Sequence, residues 1–259
     1  MVGVSLGVET TDQTRRALQE VARFAHIAEL RLDLMAEYDL PKLLQGRPCP
    51  VIVTNRPERE GGCFQGSEEE RVKPLLDAIE LGADYVDIEH DAVQLIRDRK
   101  QTKLVVSHHD FQGMPGDLAL VYNDLVAKDP DVVKIVGMAR CILDNIPLLE
   151  TLARADRPTI AIAMGEAGLI SRVLALRYDS CFLTYATLGD GDVVAPGQLP
   201  VRAMHDVYCA DKIGPQTINY GILSTLGVSD NLLALLNSST REVGLDAVWV
   251  PLVPSLGTD

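Results

Sequence analysis

The sequence predicts an α/β chain built as a closed (β/α)₈ barrel with a short C-terminal β-α-β extension. Three observations lead there. Short β-branched runs alternate with segments bearing helix signals, the alternation recurs eight times before residue 212, and no G-x-G-x-x-G or G-x-x-x-x-G-K follows the first strand. Strand, helix, strand with short connections imposes a parallel sheet with right-handed crossovers. Eight such units fit a TIM barrel better than an open doubly wound sheet.

The first strand is VGVSLGV (2–8), after which Thr11 is placed to N-cap the helix containing RRALQEVARFA. IAELRLD (27–33) carries Glu29, Arg31 and Asp33 at period two, on one face of the second strand. PVIVTNR (50–56) ends in Arg56 and leads into the glycine-rich REGGCFQG (59–66), which suggests a mobile lid; Ser67 then opens a helix with an acidic first turn. DYVDIEH (84–90) carries Asp87 and Glu89, and KLVVSHH (103–109) ends in His108 and His109. VVKIVGM (132–138) holds Lys134, TIAIAMG (159–165) runs into Met164, and CFLTYAT (181–187) completes the eight, with a helix expected after each strand. GEAGLISR (165–172) brings Arg172 to the same end as a tight loop entering a helix, and VVAPGQLP (193–200) brings Gln198. Beyond the barrel, assigned to 1–212, the extension 213–259 reads as a strand (218–223), a helix (about 229–242) and a strand (247–252). So small a unit leaves apolar surface and is expected to pack on the barrel or on a second subunit.

Composition narrows the function classes. Hydrophobic residues at 47% and charged residues at 24% describe an ordinary globular chain, and a net charge of −13 argues against a nucleic-acid or anionic-membrane surface. An anionic substrate must therefore be drawn in by a local cluster of Arg or Lys. Cys49, Cys63, Cys141, Cys181 and Cys209 are scattered, with no C-x-x-C pair and no His at zinc-ligand spacing, so they read as free thiols in a reducing compartment. No basic leader precedes the first strand and no apolar run approaches a membrane span, which makes the cytoplasm the expected location.

Barrel active sites lie at the C-terminal ends of the strands, and here polar residues of six consecutive strands converge on that end. Lys134 sits among Val132, Val133, Ile135 and Val136. A buried strand has little use for a lysine, whereas an amine in an apolar setting loses stabilisation of its charged form and becomes a nucleophile near neutral pH. The bland alternative is a rim lysine, snorkelling or paired with a carboxylate. For Asp87 or Glu89 alone, a salt bridge filling the barrel interior is the preferred reading. A nucleophilic lysine next to a histidine suits carbonyl chemistry: the amine condenses with a ketone, the iminium acidifies the adjacent carbon, and the imidazole moves that proton to a leaving hydroxyl. No metal or cofactor is needed, and Glu29, Arg31, Arg56 and Arg172 can hold the hydroxyls and carboxylate of a small anion.

The segments AELRLD, VTNRPEREGGCFQG, ADYVDIE, VVSHHDF, VVKIVGMA, MGEAGLISR and APGQ, spread over roughly residues 2 to 210, together resemble the type I 3-dehydroquinate dehydratases of the shikimate pathway. The resemblance implies that Lys134 forms an imine with the substrate ketone and that His109, not His108, is the general acid and base. It implies further that Glu60 supports the histidine, that Glu29, Arg31 and Arg56 meet the hydroxyl side, that Arg172 takes the carboxylate and that Gln198 closes over the ring. Met164 and Tyr185 would form apolar walls, in a metal-free homodimer. One departure is Val194, where the family's loop has a serine before APGQ; weaker substrate binding or poorer closure is expected from it. The tail resembles the opening of a shikimate dehydrogenase in INYG, Asn237 and GLDAVWVPL, but Asp230 and Leu232 replace that family's S-x-S pair and neither a catalytic Lys nor a nucleotide-binding unit follows. The expectation is a truncated fusion partner without dehydrogenase activity. Two rival readings stay open: another lysine-imine barrel, such as an aldolase acting on a phosphorylated sugar, and a non-catalytic metabolite-binding protein.

Overall fold

The computed structural model describes residues 1–7, 10–189 and 195–253. Eight parallel strands form the barrel: β1 (Val2–Leu6), β2 (Ile27–Arg31), β3 (Val51–Thr54), β4 (Tyr85–Glu89), β5 (Lys103–Asp110), β6 (Val132–Met138), β7 (Thr159–Met164) and β8 (Thr184–Ala186). They pair in the order β7-β6-β5-β4-β3-β2-β1-β8. All eight expected strands are present: β6 matches its expected bounds, β5 is extended to Asp110, and the other six are trimmed at one or both ends. The seam is thin: β8 pairs with β1 from Val2↔Thr184 to Val4↔Ala186, while β7 meets the β8 segment through the isolated bridge Thr159↔Cys181.

Alternation along the strands sends one set of side chains into the barrel and the other towards the helices. The lower interior is apolar and filled by Ile27, Ile52, Val105, Val132, Ile160 and Leu183. Tyr85 and Phe182 close that end with ring centroids 5.3 Å apart. One step further along the same strands the inward residues turn polar: Ser5, Glu29, Thr54, Asp87, Ser107 and Lys134, all buried. A dry floor below and charged side chains above direct the chemistry to the C-terminal mouth.

Helices α1 (Thr11–Phe24), α2 (Leu40–Leu44), α3 (Glu68–Glu80), α4 (Leu118–Val126), α5 (Asn145–Arg154), α6 (Leu169–Leu174) and α7 (Val201–Asp206) cover the barrel. Two expectations need correction. The N-cap of α1 is Thr10, not Thr11: Thr10 is extended, accepts from the Gln13 amide and is reciprocated in a capping box, while Thr11 Oγ1 accepts from the Asp39 amide at 2.8 Å. The unit after β4 has no α-helix, only the 3₁₀ turn Val93–Leu95. Its apolar residues stop at Ile96, the charged run Arg97 to Lys100 follows, and Lys100 takes a left-handed φ of 49°, so one short turn is all the segment can bury. Ser67 does cap α3, again in a capping box, with Glu70.

The tail forms β9 (Ile218–Leu223), α8 (Asp230–Glu242) and β10 (Ala247–Leu252), with β9 and β10 paired in parallel. Leu233, Val248 and Val250 join the apolar cluster between the barrel and its helices, so the tail packs on the barrel. Asn237 fixes α8 to β10 by bonding both backbone groups of Trp249, at 3.1 and 2.7 Å. Among the described residues no helix is long and apolar enough to cross a membrane.

Candidate active site

The strand ends enclose a cleft of about 480 Å³, and every one of the ten residues expected in the site lines it: Lys134, His109, Glu60, Glu29, Arg31, Arg56, Met164, Arg172, Tyr185 and Gln198. Lys134 is 4% exposed, so it is no rim lysine. Its Nζ donates to Glu29 Oε1 at 2.9 Å and Asp87 Oδ2 at 2.7 Å, and lies 4.8 Å from the centre of the Tyr185 ring. The expectation of a purely apolar setting needs correction: Val133 and Ile135 turn outward to the helices and Val132 and Val136 share the interior with Lys134, but the amine itself reaches carboxylates across the barrel.

Those carboxylates belong to a network in which charges are matched. Arg56 donates to Asp87 at 2.7 Å, to Ser107 at 2.7 Å and to Glu89 at 2.5 Å, and Arg71 meets Glu89 from the far side. Glu29 also accepts from Thr54 at 2.9 Å and from Ser5. Burial pushes both carboxyls up, but the facing cations outweigh it. The Lys134 ammonium holds Glu29 below its usual range, and Arg56 with Lys134 holds Asp87 well below its own. Glu89 is the interior salt bridge the sequence suggests. Asp87, by contrast, touches the lysine directly and was missed as a site residue. Ser5 was missed as well; its register opposite Glu29 is the signal that could have found it.

The loop after β3 delivers Glu60, whose Oε2 lies 2.9 Å from His109 Nδ1 and accepts the His109 backbone N–H at 3.1 Å. Burial pushes the imidazole well below its usual value, with Arg56 and Lys134 adding to the effect, so the ring is a free base at neutral pH. Burial likewise pushes the Glu60 carboxyl up to about 8, although Arg56 opposes it. The segment expected as a mobile lid is a tied wall. Phe64 donates to Arg56 O at 3.1 Å, Cys63 donates to Asp33 at 3.1 Å, and a Cβ on Gly61 would stand 2.0 Å from the Phe111 ring. Asp33 also clasps Arg31 through two bonds of 2.9 and 2.7 Å.

The opposite wall differs in kind. Val136, Ile162, Met164 and Tyr185 present apolar surface, and burial, then Glu29 and Asp87, push the Tyr185 phenol well above its usual value. Among them stands Arg172, 1% exposed and without an ion pair among the described residues. Its only bonds there are long ones to the carbonyls of Tyr185 (3.4 Å) and Pro196 (3.2 Å). Burial alone brings it down to about 10. Gln198 accepts from the Ala195 amide at 3.1 Å within the loop that roofs this wall. At Gly197, φ is +75° and a Cβ would come 2.3 Å from Gly165 O, so this turn requires glycine and seats the loop on the end of β7. Val194 lies outside the described residues.

His108 is absent from the cleft; it points outward beside His90. Among the described residues, Glu60, His90 and His108 bring metal-capable atoms within 4.8 Å of one another.

A family model described as type I 3-dehydroquinase matches residues 2–215. The chain belongs to that family. A 3-dehydroquinate dehydratase of Dehalococcoides mccartyi is 39% identical over 189 residues, which is 70% of this chain and 83% of that protein. A bifunctional 3-dehydroquinate dehydratase/shikimate dehydrogenase of Arabidopsis thaliana is 34% identical over 241 residues, covering 88% of this chain and therefore reaching into the tail. The chain spans only 40% of that protein's length. Among solved structures of the family's fold, the 3-dehydroquinate dehydratase of Geobacillus kaustophilus HTA426 aligns with a TM-score of 0.65 at 25% identity, over 78% of this chain and 86% of the other.

Proposed function

We propose that this chain dehydrates 3-dehydroquinate to 3-dehydroshikimate through an imine on Lys134. The Lys134 amine, positioned by its hydrogen bonds to Glu29 and Asp87, attacks the substrate ketone after giving up its proton. Loss of water gives the iminium, whose positive charge acidifies the adjacent carbon. His109, a free base oriented by Glu60, removes that proton and returns it to the departing hydroxyl. Water then cleaves the iminium, which restores the amine. Glu29, Arg31 and Arg56 line the side that receives the hydroxyls, Arg172 and Gln198 the side that receives the carboxylate, and Met164 and Tyr185 fill the space around the ring.

The observation that carries this reading is Arg172: a buried cation with no carboxylate partner among the described residues, in the same cleft as a buried lysine and a neutral histidine. Such an arrangement calls for a small anionic carbonyl compound. Borohydride reduction in the presence of 3-dehydroquinate tests it. A stable adduct on Lys134, together with enone absorbance on turnover, is expected. An adduct that forms only with phosphorylated ketoses would make the protein an aldolase instead, and the absence of any adduct would make it a binding protein. The cysteines are unpaired, which supports a reducing compartment such as the cytoplasm as its place of action. A homodimer is proposed on the family resemblance, and sedimentation equilibrium tests it.

A further inference from the structure

We propose that Glu60, His90 and His108 form a site for a divalent transition ion of the zinc class, and that occupying it inhibits the enzyme. The three ligands come from three elements: the 3₁₀ turn Glu58–Glu60 after β3, the residue following β4, and β5 itself. Pairing of Glu89 with Ser107 sets the next residues of the two strands, His90 and His108, side by side. Alternation then turns both rings away from the cleft, where Ser107 and His109 point. The unit between β4 and β5 adds only the turn Val93–Leu95 to the helical layer, and both histidines are partly exposed, so an ion can reach them from solvent. Both residues are half-buried, and their rings stand edge-on with centroids 5.2 Å apart. No ring nitrogen of either has a hydrogen-bond partner among the described residues.

One ligand atom from each residue lies within 4.8 Å of the other two. Zinc bonds of about 2.0–2.1 Å place tetrahedral ligands about 3.4 Å apart, so the atoms need close by at most about 1.4 Å, within reach of rotations about the imidazole and carboxylate side-chain bonds. Two imidazoles and one carboxylate suit zinc and its neighbours, and not calcium or magnesium, which take oxygen ligands. Because the ligands are contributed by separate elements, no spacing in the sequence reveals them.

The site shares Glu60 with the cleft. That carboxylate accepts the His109 backbone N–H and lies 2.9 Å from Nδ1. An ion that claims it weakens the bond orienting the imidazole and sets a double positive charge beside it. Proton transfer slows, while Lys134, held by Glu29 and Asp87, keeps its own surroundings. The inhibitory half of the proposal rests on the role given to His109 above; the binding half does not.

The experiment titrates the intact chain with Co²⁺, read by its visible absorption, and then displaces it with Zn²⁺. One equivalent is expected, with affinity falling about tenfold or more in His90→Gln and in His108→Gln. Saturating Zn²⁺ should lower kcat of the native enzyme, a chelator should restore it, and borohydride trapping on Lys134 should persist. The double histidine variant should keep its activity in Zn²⁺. Absence of binding, or binding untouched by both substitutions and abolished by thiol alkylation, would overturn the site. Binding at the histidines with kcat unchanged would overturn the inhibition. Histidine-dependent binding in a chain with no dehydratase turnover even when metal-free would instead overturn the proposed function and leave the site standing.

Discussion

The two walls of the cleft solve the problem of buried charge in opposite ways. On the side of β2 to β6, Lys134, Arg56 and Arg71 face Glu29, Asp87 and Glu89, and serine and threonine hydroxyls take up remaining acceptor sites. On the side of β7 and β8, Arg172 has carbonyls for company and no acid among the described residues. A matched network is pre-organised for reacting atoms. An unmatched cation costs stability until an anion arrives, which suits it to the binding role proposed for it: its displacement from 12.5 to about 10 corresponds to about 3 kcal/mol.

The strongest way to break the matched side is Lys134→Ala. It removes the proposed nucleophile, so kcat should fall by roughly 10⁴-fold or more. It also leaves Glu29 and Asp87 facing each other, so denaturant unfolding should show a loss of about 3–5 kcal/mol. On the unmatched side the two readouts should part company. In Arg172→Gln, KM should rise about 100-fold, as loss of a charged hydrogen-bonded contact implies, while the melting temperature of the unliganded protein rises because the uncompensated cation is gone. A fall in melting temperature would show that Arg172 is structural and end the comparison.

A smaller effect is expected between the walls, at His109. Its protonated form is disfavoured by burial and then by Arg56 and Lys134, so its value in the folded protein lies under the ordinary 6.5. The base is therefore already present at neutral pH and is lost only on acidification. The acid limb of kcat/KM should have its midpoint below 6.5, and Glu60→Gln, which removes the orienting carboxylate, should lower kcat about tenfold with little change in KM.

Much of the barrel was legible because strands buried on both faces announce themselves as short β-branched runs, and because a barrel dictates which end of each run matters. The polar residues at those ends could be named before their contacts were known. What the sequence could not show depends on distances across the barrel. Lys134 looks apolar in its own strand because its partners, Glu29 and Asp87, belong to others. Asp87 reads as interior filler until its oxygen is found 2.7 Å from the lysine nitrogen. His90 and His108 meet only through the register of β4 on β5. The missing helix after β4 failed for a local reason: Val93 and Ile96 have helical spacing, but too few apolar residues follow to bury a second turn.

The thin seam has a kinetic meaning. With the described β7 and β8 segments joined through a single bridge, the barrel should breathe there first, and amides from Phe182 to Ala186 should exchange with solvent sooner than those of β5 and β6. Arg172 spans this joint from α6, bonding the carbonyls of Tyr185 and Pro196. An anion held by its guanidinium would fasten the joint from within. Hydrogen exchange along β8 should therefore slow when a carboxylate ligand binds, and that slowing should vanish in Arg172→Gln, making the seam a reporter of occupancy without any need for turnover.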